Sequence, residues 1–336
     1  MTERNAGVWG LGRSVPDRVL TNEDLEKMVD TSDEWIVTRT GISERRIAGD
    51  DVATSDLALA ASRQALEQAG LTGRDVDMVI AATVTPDTSF PSTACLMQEE
   101  LGAPGAAAFD LGVGCTGFVY GLAIAHQFVA SGAADHVVVA AGDILSKITD
   151  WEDRGTCVLF GDAAGAAVVG PCRPGTGILS TYLGNDGSGA HHLQMPAGGS
   201  RRPASEETVR ERLHYLKMNG REVFKFAVRA MSRSAREVVA RAGLSFADID
   251  CYIPHQANRR IIDASAGRLG IPMEKVYINL DRYGNTSAAS VPLALSEAWD
   301  SGVVGPGDNV LAVTFGAGLS WAAAALRMLE ESDRLD

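Results

Sequence analysis

The chain of 336 residues contains no C-x-x-C pair, and its cysteine count of five is odd, which argues against a disulfide framework or a zinc knuckle. It has no apolar run of membrane-spanning length, and Met1 to Gly10 lacks a basic segment leading into an apolar core. The sequence therefore predicts a cytoplasmic protein without membrane association. Positive charge is in deficit. Thirty Lys and Arg against 43 Asp and Glu leave a net charge of −13, which disfavours non-specific nucleic-acid binding. An acidic partner would need a local basic patch. His191 and His192 stand in a Gly-rich loop with no other ligand-type residues nearby, so no metal site is predicted. What remains is an ordinary globular composition, 46% hydrophobic and 22% charged, with 36 glycines for tight turns and close backbone approaches. The length exceeds the usual size of one core and predicts one large or two fused domains.

The organising stretch is Phe109-Asp110-Leu111-Gly112-Val113-Gly114-Cys115-Thr116-Gly117. A short apolar strand runs into small residues, a cysteine, and then a helical run to about Ser131. Backbone N–H groups at a helix start lack intrahelical partners, and the dipole there is partly positive. Such a position favours a thiolate, so the thiol is expected to ionise near neutral pH and act as a nucleophile. The alternative is a buried cysteine packed as a small hydrophobe.

Upstream, Thr21 and Asp24 make a capping pair, and Thr31 or Ser32 caps a helix that carries Trp35 and Arg39 on one face. An indole beside a guanidinium can sandwich a flat base; equally, the pair can simply pack. Apolar runs at 77–84 and 135–143 read as buried strands, and Gly170 to Gly175 reads as the turn between two domains. Residues 198 to 212 read as a mobile surface loop.

The second half repeats the first. Ala69-Gly70-Leu71 followed by Asp75-Val76-Asp77 recurs as Ala242-Gly243-Leu244 followed by Asp248-Ile249-Asp250, and Ser131-Gly132 recurs as Ser301-Gly302. These anchors lay Ala82 on His255 and Cys115 on Asn285. Duplicated α/β units predict two mostly parallel sheets with helices between and outside them, divided as 1–174 and 175–336. His255 stands at a strand end, as a structural histidine or a site residue. Asn285 precedes a helix, as an N-cap or a site residue. Phe315-Gly316-Ala317-Gly318 ends a strand with small residues, where backbone N–H groups can face an oxyanion.

With Thr31-Ser32-Asp33-Glu34-Trp35-Ile36-Val37-Thr38-Arg39-Thr40-Gly41-Ile42, Pro254-His255-Gln256-Ala257-Asn258 and Gly284-Asn285-Thr286-Ser287-Ala288-Ala289-Ser290, the chain resembles the β-ketoacyl-acyl-carrier-protein synthase III family over essentially its whole length. That resemblance implies a thiolase fold, a layered α-β-α-β-α sandwich, and a Cys115/His255/Asn285 set distinct from the Cys/His/His of elongating synthases. Gly112-Val113-Gly114 is less alanine-rich than the common family form, which bears on the acyl pocket.

The implied reaction is acylation of Cys115 by an acyl-CoA starter, then decarboxylative condensation with malonyl-acyl-carrier protein. No cofactor is involved. His255 and Asn285 would stabilise the enolate, and the backbone N–H groups of Cys115 and Ala317 would form the oxyanion hole. The resemblance further places Trp35, Arg39 and Arg154 at the nucleotide, and Gly220, Phe224 and Asn258 along the pantetheine path. Phe90 from a partner subunit of a homodimer would close the acyl pocket, and the Gly/Ala/Val-rich run 163–169 would lie at the dimer centre. Gln256, Ala257, Asn258, Arg259 and Arg260, with Arg221 and Lys225, would dock the acidic carrier protein; alone, Arg259 and Arg260 read equally as a solvated helix face. Competing functions are priming of a polyketide pathway, acyl transfer to oxygen or nitrogen, and a silent scaffold, the last opposed by the intact Cys/His/Asn set.

Overall fold

The computed structural model describes residues 4–335; Met1 to Glu3, part of the amino-terminal stretch read for a targeting segment, and Asp336 lie outside them. In chain order the first half contains β1 (Asn5–Ser14), β2 (Val19–Thr21), α1 (Asn22–Glu26), α2 (Asp33–Thr40), β3 (Glu44–Arg46), α3 (Thr54–Ala69), β4 (Met78–Ala82) and α4 (Thr93–Glu100). It continues with β5 (Ala107–Leu111), α5 (Gly117–Ser131), β6 (Val137–Asp143), α6 (Arg154–Cys157) and β7 (Ala163–Cys172). The second half contains β8 (Gly177–Asn185), β9 (Leu193–Gln194), α7 (Glu206–Arg210), β10 (Lys217–Met218), α8 (Gly220–Arg241) and β11 (Cys251–Pro254). It closes with α9 (Arg259–Leu269), α10 (Leu280–Tyr283), α11 (Ser290–Asp300), β12 (Asn309–Gly316) and β13 (Ser320–Arg327).

Two sheets carry the fold, ordered β1-β7-β6-β4-β5 and β8-β13-β12-β11. In each, the first three strands run antiparallel to their neighbours and the next pair is parallel; only the first sheet extends to a further parallel strand, β5. The strands are apolar on both faces because both faces are covered. Ile80, Val139 and Ala312 point inward to α5 and α11, whereas Val79 and Val138 face outward to α3, and Leu311 and Val313 face outward to α8 and α9. The result is the layered α-β-α-β-α sandwich of the thiolase fold. Its middle layer, α5 and α11, is buried between the sheets, which explains why α5 is apolar all round. No helix among the described residues is long and apolar enough to cross a membrane.

Three expectations are corrected here. Gly170 to Cys172 extend β7, and the turn between the sheets is Arg173 to Thr176. The run 163–169 is not a free surface for a partner, because β7 is paired on both sides by β1 and β6 and is buried throughout. Residues 198–204 are exposed surface, but 205–212 are not an open loop: α7 is capped by Ser205, Thr208 is buried against His214, and Arg212 pairs with Asp150.

The internal repeat also shifts. The helices α5 and α11 are each preceded by one 3-10 turn, Gly114–Thr116 and Ser287–Ala289, whose first residues take left-handed φ values of 59° and 51°. Superposing these turns lays Cys115 on Ala288 and leaves Asn285 three residues earlier. The sequence anchor at Ser131 and Ser301 misled because α11 has 11 residues and α5 has 15.

Candidate active site

The strand ends of both halves open onto one cavity of about 420 Å³, lined by Cys115, His255 and Asn285 together with Ser287, Phe315 and Ala317. Cys115 sits in the 3-10 turn just ahead of α5, between the end of β5 and the helix. Its surface is partly open, but to this cavity rather than to bulk water. Burial pushes the thiol up to about 11, with the buried Asp143 carboxylate adding to the rise and Ser287 acting against it. The expected low-pKa thiolate is therefore corrected. The helix dipole, worth about 0.3–1 kcal/mol at typical sites, does not outweigh desolvation here, and the resting group is a thiol.

His255 follows β11, and its backbone N–H donates to Val313 O at 2.8 Å. Its Nδ1 is 2.6 Å from Ser290 Oγ, and its ring meets Phe315 edge-on at 5.2 Å between centroids. Burial pushes its pKa down to about 3, so the imidazole is neutral at physiological pH. Among the described residues Nε2 has no hydrogen-bond partner, and the residue lines the cavity.

Asn285 is held by its backbone: N–H donates to Leu159 O at 2.8 Å, and C=O accepts from Gly161 N–H at 3.1 Å. Its Oδ1 accepts from Ser287 N–H at 2.9 Å, which assigns Nδ2 as the amide end left without a partner among the described residues. It is therefore not the N-cap of α11. Gly114 and Gly316 bring two further donors to the wall. A Cβ at Gly114 would lie 3.2 Å from Ala317 N, and one at Gly316 would lie 2.9 Å from Cys115 N.

Three supporting groups escaped the sequence reading. Ser290 orients His255, and Ser287 links the Asn285 loop to the surroundings of Cys115. Asp143, at the end of β6, is fully buried and accepts from Thr83 Oγ1 at 2.9 Å and Val84 N–H at 2.8 Å. A charged residue closing an otherwise apolar strand was the available signal for Asp143. The two serines carried none.

The cavity's mouth holds Arg39, Gly155, Gly220, Phe224, Asn258 and Arg260. Trp35 does not line the cavity, but the guanidiniums of Arg39 and Arg154 each lie 4.9 Å from its ring centroid. Arg154 also donates to Asp30 O at 2.9 Å. A base inserted between Trp35 and Arg154 must displace this stack. Asn258 caps α9 through Arg260 N–H and clips α2 by donating to Arg39 O at 3.0 Å. Arg260 is exposed with its guanidinium 5.8 Å from the Phe224 ring, and Arg259 is exposed and paired with Asp263.

Gln256 and Ala257 are corrected, since neither belongs to an outer docking face. Gln256 is 1% exposed and spends its amide on Pro254 O, Tyr277 O and Asn279 N–H, and Ala257 is buried at the cavity wall. Phe90 is 85% exposed and lies away from the chain's own cavity.

Residues 109–187 and 239–328 match the family models described as 3-oxoacyl-[acyl-carrier-protein (ACP)] synthase III and its C-terminal part. A β-ketoacyl-[acyl-carrier-protein] synthase III of Caldanaerobacter subterraneus is 61% identical over 322 residues, covering 96% of this chain and 97% of that protein. The crystal structure of 3-oxoacyl-[acyl-carrier-protein] synthase III from Aquifex aeolicus matches with a TM-score of 0.89 at 48% identity, covering 96% of this chain and 99% of that one. A priming β-ketosynthase of a polyketide pathway matches with a TM-score of 0.90 at 39% identity, covering 98% of both chains.

Proposed function

The chain belongs to the 3-oxoacyl-[acyl-carrier-protein] synthase III family, and on that premise we propose that Cys115, His255 and Asn285 divide two half-reactions between them. The activity is that of an acyltransferase, the initiating condensing enzyme of fatty-acid biosynthesis. In the first half-reaction the Cys115 sulfur attacks the carbonyl carbon of an acyl-CoA thioester. The bond to the CoA sulfur breaks, leaving acyl-Cys115 and CoA. In the second, the malonyl group on the carrier protein loses CO2. The resulting enolate carbon attacks the acyl-Cys115 carbonyl, forming the new C–C bond and releasing the Cys115 sulfur.

The observation that carries this reading is the pair of polar atoms, His255 Nε2 and Asn285 Nδ2, that have no partner among the described residues and belong to residues lining one cavity with the cysteine. With Ser290 Oγ–H donating to Nδ1, Nε2 bears a proton and points a donor at the enolate oxygen. With Nδ1–H donating to Ser290 Oγ, Nε2 is bare and can carry the Cys115 proton to the departing CoA sulfur. The second arrangement is needed because burial holds Cys115 as a thiol. Backbone N–H groups of Cys115 and Ala317 support the oxyanion of each tetrahedral intermediate. These steps call on substrates alone, acyl-CoA and malonyl-acyl-carrier protein, and no cofactor.

Trp35, Arg39 and Arg154 are assigned to the nucleotide, with Gly220, Phe224 and Asn258 along the pantetheine arm. Carrier-protein docking is assigned to exposed cations beside the mouth: Arg259, Arg260, Arg221 and Lys225. The homodimer reading draws support from β5, whose outer edge is unpaired within the sheet, and from exposed Phe90. A division at 174/175, between β7 and β8, and a cytoplasmic location complete the proposal.

The test measures the half-reactions separately, acyl-Cys115 by intact mass and CO2 release from malonyl-carrier protein. Asn285→Ala should leave acylation within a few-fold and cut CO2 release by ~10²-fold or more. Equal loss in both removes the enolate role.

A further inference from the structure

We propose that Arg45 is a positioning residue that holds the nucleotide clamp at the mouth and the Asn285 loop at the bottom of the cavity in one register. Its side chain is fully buried, yet among the described residues it meets no carboxylate, and its Nε has no hydrogen-bond partner. Burial lowers its pKa to about 10, which leaves the guanidinium charged at neutral pH. A buried cation without a counter-ion is a costly arrangement, and an apolar side chain would fill the space more cheaply. What the guanidinium supplies is a set of hydrogen bonds to three segments.

Arg45 Nη1 donates to Leu20 O at 3.3 Å and to Asn22 Oδ1 at 2.8 Å. Asn22 in turn donates from Nδ2 to Asp33 Oδ1 at 2.8 Å, in the first turn of α2, which carries Trp35. Arg45 Nη2 donates to Val158 O at 2.8 Å, and Val158 is the C-cap of α6, which carries Arg154. Leu159, the next residue, accepts the backbone N–H of Asn285. The stem of Arg45 packs on the same corner: a Cβ at Gly161 would come within 3.0 Å of its Cβ, and one at Gly284 within 3.3 Å. One guanidinium thus bonds the end of α6 directly, and links to α2 through Asn22 and to the loop that presents Asn285 through the Val158–Leu159 backbone. A clamp closed on the nucleotide and a correctly aimed Asn285 become parts of one rigid unit.

The inference rests on the roles given above to Trp35, Arg154 and Asn285. Arg45→Met keeps the unbranched stem and removes every donor. It should raise the KM for acyl-CoA about tenfold, leave the saturating acylation rate within about twofold, and lower CO2 release about tenfold. Arg45→Lys should recover part of both losses. Combined with Asn285→Ala, Arg45→Met should add no further loss of CO2 release, because both changes remove the same aimed donor. Asn22→Ala severs the branch to α2 and the Asn22 Nδ2 bond to Ile42 O at 2.8 Å but keeps the Arg45 bond to Val158, so it should raise the KM for acyl-CoA and spare CO2 release.

Multiplying losses in the double variant overturn the proposal. So does an Asn22→Ala variant with unchanged KM, or an Arg45→Met variant with an unaltered KM and CO2 release. If Arg45→Met does not fold, Arg45→Lys and Asn22→Ala decide by the same split. If Asn285→Ala itself leaves CO2 release intact, the enolate reading falls and this proposal with it.

Discussion

The two strand–turn–helix corners at the heart of the molecule share a backbone and differ in chemistry. Gly114-Cys115-Thr116 leads into α5 and Ser287-Ala288-Ala289 into α11, each turn opening with a left-handed residue. In the first corner that residue is glycine, and it must be. A side chain there would pay the left-handed cost and press on Ala317 N at 3.2 Å. In the second it is Ser287, a strained choice of about 1 kcal/mol or more, held by Asn285 Oδ1 accepting its N–H. The position equivalent to Cys115 is inert Ala288. The repeat thus provides two platforms; on the proposed roles, one carries its chemistry on the turn, and the other carries it on the residues just before, at Asn285, and at a strand end, at His255.

The sharpest way to break this comparison is to remove the proposed nucleophile. Cys115→Ala should abolish acyl-enzyme formation, read as the absence of any acyl mass adduct; an adduct of undiminished yield would move the nucleophile elsewhere. His255→Ala should slow CO2 release by ~10²-fold or more and, unlike Asn285→Ala, also slow acylation, because it removes both an enolate donor and the proton shuttle. Paired half-reaction rates for the two variants separate these roles.

Gly114→Ala should destabilise the fold by about 1–2 kcal/mol and slow both half-reactions, whereas Ser287→Gly should change stability by less than about 1 kcal/mol. Thermal melting of both variants compares the corners directly. The smallest effect concerns charge. Because the thiol is held up to about 11, it is protonated below that pH, so Cys115 alkylation by iodoacetamide should climb about tenfold per pH unit above 7. A plateau below pH 8 would show that the helix terminus outweighs burial. His255, pushed down to about 3, should contribute no titration between pH 5 and 8.

Much of this was legible because the fold repeats simple signals. Apolar runs bounded by Gly marked buried strands, and the left-handed Gly70 and Gly132 end α3 and α5 where the sequence stops being periodic. Cys115, His255 and Asn285 stood at corners and strand ends where each also read as structural, and the family resemblance joined them into one set. What sequence could not carry was burial around single atoms. The helix-start rule foresaw a thiolate, and only the packed surroundings show desolvation winning. Gln256 sat inside a motif beside two arginines, yet its amide turns inward to Tyr277 and Asn279. Arg45 looked like one of three charged residues in Glu44-Arg45-Arg46, and nothing local tells which of them points into the core.

The cavity has one further consequence, for inhibition. On the proposed roles, both substrates would reach Cys115 by a pantetheine arm through the mouth lined by Arg39, Asn258 and Arg260. CoA and carrier protein would then compete for the same volume, and an acyl-Cys115 intermediate makes ping-pong kinetics the expected outcome. Free CoA should act as a competitive inhibitor of malonyl-carrier protein against the acylated enzyme, and excess carrier protein should slow acylation of the free one. Turnover then depends on the ratio of the two pantetheine carriers as well as on their amounts.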